Sequence, residues 1–203
     1  MKDLVLSMVV AATEYHVIGQ GGRLPWHLPS DLRRFRQITL HAGTMIMGRK
    51  TYESILAHNG KPLPERMHLV LSRRIRGEPV PDLVQFVSSP DEALDEVGRN
   101  GRRACIIGGG EIFKLFLSLE TPRVTRVYVT TVYSKPALGD TFFPSIDPGT
   151  WRCTGCSSRR LWDPQDDYET SYHMYERLSS SLQKLWREDE EESLYWDIKK
   201  GIL

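Results

Sequence analysis

Short, unbroken apolar runs recur along most of this chain, each closed by a turn rich in glycine, proline or charge. The first, LVLSMVVAA at 4–12, is apolar on both alternate sets of positions, as a strand buried on both faces requires. Residues 44–47, 67–72 and 104–107 repeat the pattern. Between these runs the apolar spacing widens to three and four. Leu32, Phe35 and Ile38 follow Pro29 at helical intervals, with Ser30 as the expected N-cap. TYESILA after Gly48 predicts a second helix. Ser89-Pro90-Asp91-Glu92 is a helix start, with a cap, a proline at the first position and an acid three residues after the cap. It opens DEALDEVG, which Asn100-Gly101 ends. EIFKLFLSL, after Gly108, Gly109 and Gly110, predicts a fourth helix with Ile112, Phe113, Leu115, Phe116 and Leu119 on its apolar side. Late in the chain, 126–132 predicts a strand, Gly139-Asp140-Thr141 a turn, and 151–158 and 168–178 show two-residue alternation. This order predicts one α/β domain: a central, mainly parallel sheet with an antiparallel C-terminal edge strand and helices on both faces.

At 203 residues, 40% of them hydrophobic, the chain is long enough to bury one core and short for two. A net charge of +1 lacks the broad positive field of nucleic-acid and membrane-surface binders, so neither partner is expected. The apolar stretch near the N-terminus reads as the strand at 4–12 rather than as a signal or membrane segment, and a cytoplasmic enzyme is the expectation. Cys105 sits in a strand-like run and reads as core. Cys153 and Cys156 share a C-x-x-C spacing without a second pair or nearby histidines, so no metal is expected and an adventitious disulfide stays open.

Candidate chemistry concentrates at 17–35, where a Gly-Gly loop tightens at Leu24-Pro25-Trp26 and enters a helix whose first turn carries one carboxylate, Asp31. A helix dipole alone favours an acid there. Trp26, Leu28, Leu32 and Phe35 add a second reading, an acid facing an apolar cavity beside a mobile loop, its pKa raised by desolvation. Gly48 permits a tight turn, and the helix start after it, with Arg49 and Lys50, makes a phosphate site; alone, the two cations would read as surface charges. Ser72-Arg73-Arg74 adds basic groups after another strand, suited to a 2′-phosphorylated cofactor. Gly108, Gly109 and Gly110 let a pyrophosphate approach the backbone, although the full dinucleotide fingerprint is missing and a tight structural turn is the alternative. These features describe a nucleotide lying across several strand ends and a flat heteroaromatic substrate beside one acid.

The motifs align with a known family. VIGQGGRLPWHLPSDLRRF (17–35) resembles the substrate loop and first helix of dihydrofolate reductase. The resemblance continues in order through MIMGRKTYESI (45–55), KPLPERMHLVLSR (61–73), CIIGGGEIFKLF (105–116), VYVTTV (127–132) and GDTFFP (139–144), and covers about residues 4–178. It implies a catalytic domain over 1–178 that reduces 7,8-dihydrofolate with NADPH, by hydride transfer to C6 and protonation at N5, for one-carbon metabolism and thymidylate and purine synthesis. Asp31 is implied as the group accepting hydrogen bonds from the pterin, Thr130 as the hydroxyl bonded to it, Trp26 as the holder of a water beside it, and Leu24 as the loop residue that closes over the nicotinamide. Val9, Val10, Leu32, Phe35 and Ile107 would line the substrate pocket; Arg66 would clamp the substrate's α-carboxylate, assisted by Lys61. Ala11, Ile18 and Gly19 would lie near the nicotinamide, and Arg49, Lys50 and Thr51 at the phosphates. Ser72 and Arg73 would hold the 2′-phosphate, with Gly108, Gly109, Gly110, Glu111, Ile112 and Phe113 along the pyrophosphate. Val17, Gly22, Arg23, Leu24, Gly48, Leu71, Ser88 and Ile107 complete the implied cofactor contacts.

Three positions depart from the commonest pattern: Phe113 replaces a tyrosine, Glu111 is acidic near a phosphate path and is expected to point away, and Arg34 is unexpectedly basic at the pocket mouth. The resemblance implies antifolates such as trimethoprim or methotrexate as further ligands. A reductase of a pyrimidine intermediate in riboflavin synthesis, or a non-catalytic NADPH-binding module, would share the cofactor turns. The tail, 179–203, lies beyond the resemblance; it is expected to be a helix packed on its own domain or partly disordered, and its apolar Tyr195, Trp196 and Ile198 suggest, as a sharper alternative, a contact with a second subunit, a monomer being the first expectation.

Overall fold

Alternation along one central strand sorts the core into two layers. The computed structural model describes residues 4–73, 81–119, 124–134, 139–157 and 162–179. In β1 (Val5–Thr13), Leu6, Met8, Val10 and Ala12 point to one face of the sheet and enter the larger apolar core, so Val9 and Ala11 point to the other. β3 (Thr44–Gly48) divides in the same way. Ile46 joins the larger core, whereas Met45 and Met47 pack in a smaller one. The chain runs on through β2 (Val17–Gly19), α1 (Pro29–Ala42), α2 (Arg49–Asn59), β4 (Met67–Leu71), β5 (Val84–Val87), α3 (Pro90–Arg99), β6 (Arg103–Gly108), α4 (Gly110–Ser118), β7 (Val124–Val132), β8 (Thr141–Phe142), β9 (Trp151–Cys156) and β10 (Thr170–Arg177).

The main sheet has the order β5-β4-β3-β6-β1-β7-β10-β9. From β5 to β7 all pairs are parallel, and β10 runs antiparallel to both its neighbours. The last strand is thus inserted, and β9 takes the outer edge. Ala93, Leu94 and Val97 of α3 and Phe113 and Phe116 of α4 cover the Leu6–Met8 face. Phe35 of α1 and Tyr52, Ile55 and Leu56 of α2 cover the other. The expected α/β architecture, mainly parallel with an antiparallel edge and helices on both faces, is the one observed.

Three short strands were not legible. β5 is four residues (VQFV) between turns and gains its identity by pairing with β4. β2 and β8 form a separate two-stranded ribbon where the sequence suggests only loop and turn. The start of α1 also differs from expectation. Leu28 is the N-cap, Pro29 opens the helix, and no side chain of the cap residue bonds the helix end. Ser30 instead donates its backbone N–H to Asp166 Oδ1 at 2.9 Å and its hydroxyl to Asp166 Oδ2, so a distant carboxylate does the work expected of the local cap. In α3, by contrast, Ser89 caps as expected, accepting from the Glu92 N–H at 3.2 Å.

Parallel strands place their following turns at one edge of the sheet. The turns after β3, β4, β5 and β6 therefore line up: Gly48 into α2, Ser72 after β4, Ser88-Ser89 into α3, and Gly109 into α4. Of the tail at 179–203, residues 180–203 lie outside the described residues.

Candidate active site

Asp31 lies in the first turn of α1, above the central strands, and its Oδ1 accepts a hydrogen bond of 2.6 Å from Thr130 Oγ1. Thr130 is paired in register with Ala11 on β1 and Tyr172 on β10, so these residues share the face that α1 covers. Trp26 is 8% exposed and packs with Leu28 and Val132, against Ala11 and Tyr168. Burial raises the Asp31 pKa above the ordinary carboxylate value; the Thr130 hydroxyl and the Arg34 charge oppose that shift, and Asp166 adds to it.

Arg34, flagged from sequence as an unexpected cation, stacks on the Tyr172 ring, 5.2 Å from its centroid. Its Nε and Nη2 are buried and find no hydrogen-bond partner among the described residues. The segment around Asp166 laces onto the loop before α1: besides holding Ser30, it presents Asp167, whose carboxylate accepts from the His27 N–H at 2.6 Å. Neither aspartate carries a sequence signal, because the contacts span well over a hundred residues.

Asp31, Phe35 and Thr39 follow at four-residue spacing along one side of α1. At the far end Arg66 donates from Nη1 to Thr39 Oγ1 at 2.8 Å and from Nε to the Pro64 carbonyl at 2.9 Å, while Thr39 donates to the Phe35 carbonyl at 2.7 Å. Arg66 is only 3% exposed, so it is not a solvated surface charge. Thr39 lies eight positions after Asp31 on the helix, about 12 Å along the axis. An acid at one end of this row and a guanidinium at the other suit an elongated ligand bearing a ring and a carboxylate. Between them, Phe35 and Ile107 both pack against the smaller core, Val9 is buried, and Leu32 is 46% exposed. Lys61 is exposed near the Arg66 end.

Val10 is a correction. Its side chain turns into the core beneath α3 and α4, on the face away from Asp31, because its neighbours Val9 and Ala11 take the cleft face.

The loop of residues 20–24 is pinned from two sides. Gly21 donates its N–H to Asp140 Oδ2 at 2.7 Å, and Ser54 donates to the Gly22 carbonyl at 2.9 Å. Gly22, Arg23 and Leu24 are exposed, whereas Val17 and Ile18 are buried and Gly19 abuts Thr141.

Along the strand-end edge, the turns at Gly48 and at Gly108, Gly109 and Gly110 pack on one another. A Cβ on Gly48 would lie 3.0 Å from Ile112 Cγ1, and one on Gly109 3.5 Å from Thr51 Oγ1. Gly108 has a φ of +113° and lies against the Phe113 ring, which packs edge-on to Phe143 at 5.0 Å. Gly110 leaves no room at all, since a Cβ would meet the Phe142 carbonyl at 2.7 Å. Arg49, expected at a phosphate, is engaged with Glu53 at 2.7 and 2.9 Å; Lys50, Arg73 and Glu111 are exposed. Ser72 is buried and donates its N–H to the Val87 carbonyl, Leu71 ends β4, and Ser88 donates its N–H and hydroxyl to the Glu92 carboxylate at 2.7 and 2.8 Å. Two helix N-termini meeting over side-chain-free backbone, with basic side chains at the rim, fit the phosphates of a dinucleotide. No group of metal-ligating side chains among the described residues could hold an ion.

Parallel strands feeding glycine turns at one edge, and a half-buried acid on the first helix held by Thr130, define a nucleotide-dependent α/β oxidoreductase. A model of the dihydrofolate reductase family matches residues 5–177, and the chain belongs to that family of NADPH-dependent reductases. It is 37% identical to the dihydrofolate reductase of Haemophilus influenzae over 169 residues, covering 83% of this chain and 96% of that one. With the dihydrofolate reductase of Bacillus subtilis it shares 31% over 186 residues, 87% and 97% of the two chains. The solved structure of dihydrofolate reductase from Enterococcus faecalis, complexed with NADP(H) and RAB-propyl, superposes with a TM-score of 0.68 at 30% identity, over 86% of this chain and 97% of that one.

Proposed function

We propose that this chain reduces 7,8-dihydrofolate to 5,6,7,8-tetrahydrofolate, NADPH supplying the hydride that reaches C6 while a proton reaches N5. The observation that carries this reading is the Thr130–Asp31 hydrogen bond at one end of α1 and the buried Arg66, bonded to Thr39, towards the other. Asp31 accepts hydrogen bonds from the 2-amino group and adjacent nitrogen of the pterin and, when ionised, favours the protonated ring electrostatically. Thr130 orients that carboxylate, and Trp26 holds a water beside it. Val9, Leu32, Phe35 and Ile107 line the ring and aryl pocket, and Val10 contributes backbone only. Arg66 binds the α-carboxylate of the substrate's glutamate as a planar fork already set by Thr39 and Pro64, with Lys61 adding charge at the rim.

Ala11, Ile18, Gly19 and Leu24 surround the nicotinamide, and the loop of Gly22, Arg23 and Leu24 excludes water from it. The turn at Gly48, Arg49, Lys50 and Thr51 and the turn running from Gly108 to Phe113 hold the phosphates; Leu71, Ser72, Arg73 and Ser88 hold the adenosine end. For Arg49 this requires exchange of Glu53 for a phosphate, a change between two charge-assisted partners. The catalytic unit spans 1–178 and acts as a cytoplasmic monomer feeding one-carbon metabolism and thymidylate and purine synthesis. Antifolates such as trimethoprim or methotrexate occupy the same site. Among the described residues, no helix is long and apolar enough to cross a membrane.

The test is NADPH oxidation on adding dihydrofolate, run beside NADH and the Asp31→Asn variant. We expect steady oxidation, a clear preference for NADPH, and loss of turnover by about a hundredfold or more in the variant. An Asp31→Asn enzyme with normal turnover would remove the assigned mechanism, and equal use of NADH would remove the role given to Arg49, Lys50 and Arg73.

A further inference from the structure

Cys153 and Cys156 are three residues apart on β9, a spacing that in a regular strand sends two side chains to opposite faces, about 10 Å apart. β9 is not regular. Its pairing with β10 sets Cys153 opposite Tyr175, Gly155 opposite Met174 and Cys156 opposite His173, which leaves Thr154 as an extra residue in a β-bulge. The bulge reverses the alternation. Tyr175 and His173 are two apart on β10 and share a face, so the cysteines opposite them share it too. Other contacts agree. The His173 and Tyr175 rings lie 6.3 Å apart, and Trp151 lies under the Arg177 guanidinium on that side at 4.5 Å. Gly155 faces the other way, where an added Cβ would meet Met174 Cε at 3.5 Å. Both thiols are free and exposed, and Cys153 donates from Sγ to the Gly155 carbonyl at 3.6 Å. Positions two apart along a strand are separated by about 6.8 Å, at the upper end of the Cα–Cα range that a disulfide spans, about 4.4–6.8 Å.

We propose that Cys153 and Cys156 form a dithiol site, on the sheet face opposite Asp31, that exchanges with small-molecule disulfides and closes into an internal disulfide across the bulge. The Cys156 thiolate, its proton lost to water, attacks one sulfur of a disulfide such as oxidised glutathione. That S–S bond breaks and one glutathione thiolate leaves. The Cys153 thiol then loses its proton and attacks the Cys156 sulfur, expelling the glutathione held there. Two protein thiols are oxidised and one glutathione disulfide is reduced to two thiols. Cys153 is kept in reserve as the resolving group because its thiol donates to the Gly155 carbonyl and desolvation pushes it up. Cys105, buried and pushed up to about 12, takes no part and serves as an internal control.

The test is to incubate the full chain with oxidised glutathione, alkylate at low pH, and map thiols by mass spectrometry beside the Cys153→Ser and Cys156→Ser variants. We expect the wild-type protein to lose two hydrogens, with both residues resistant to alkylation until reduced and Cys105 alkylated only after denaturation. Cys153→Ser should instead retain one glutathione at Cys156. Both substitutions change exposed side chains, and unchanged melting temperatures will show that the variants are folded. Wild-type protein that keeps glutathione adducts without closing, or leaves both thiols alkylatable, overturns the proposal, as does closure in either serine variant.

Discussion

Asp31 is held between opposing influences, and each is attached to a residue that can be removed. The Thr130 hydrogen bond is the larger of the two that favour the carboxylate and the Arg34 charge the smaller, while burial and Asp166 favour the neutral acid. Carbon-13 NMR of the carboxyl should therefore show the Asp31 midpoint moving to higher pH in Thr130→Val, and by less in Arg34→Met. An unmoved midpoint in Arg34→Met would remove the guanidinium from this balance. A folded-state pKa above the unfolded value means stability that is fully present below the unfolded pKa, near 3.8, and lost as pH rises through the folded pKa. Asp31→Asn is thus expected to melt higher than wild type at neutral pH and to lose that advantage near pH 3, a gain in stability opposite in direction to its loss of activity. Equal melting at both pH values would show that the acid is not strained by its site.

The elements set those single charges apart along one helix and line up the glycine turns at one edge of the sheet. α1 carries Asp31 at one end and meets Arg66 through Thr39 near the other. Arg66→Ala should raise the KM for dihydrofolate by on the order of tenfold or more, a loss of at least about 1.4 kcal/mol, with kcat much less affected. It should also lower stability by about 1–3 kcal/mol, since the Pro64 carbonyl and Thr39 lose a buried donor; steady-state kinetics and chemical denaturation separate the two effects. At the other edge, Gly110→Ala forces a methyl against the Phe142 carbonyl. That overpacking should cost about 1–3 kcal/mol, visible as a lower melting temperature and a weaker NADPH titration. Much of this level was legible beforehand, because helix and strand periodicity is a local property: α1, α3 and α4 and the buried strands follow from spacing alone. β5 was not, since four residues with a glutamine among them become a strand only when β4 offers its hydrogen bonds.

Across the whole molecule, contacts between distant stretches finish what the elements begin. Asp166 reaches back to the start of α1, so Asp166→Ala should uncap the helix that carries Asp31 at a cost of about 1–3 kcal/mol, measurable by urea denaturation, and should lower the Asp31 midpoint by removing a neighbouring negative charge. Asp140 similarly pins the loop at Gly21. By itself the sequence determined the alternation of strands and helices, the buried acid after Trp26, and the glycine turns, because each depends on neighbours within a few positions. Tertiary structure alone decided that Arg66 is buried on Thr39, that Val10 faces away from the cleft, that Arg34 stacks on Tyr172, and that a bulge turns Cys153 and Cys156 to one side. Those outcomes depend on register and on which surfaces meet, and pairwise geometry between residues far apart in the chain leaves no periodic trace along it.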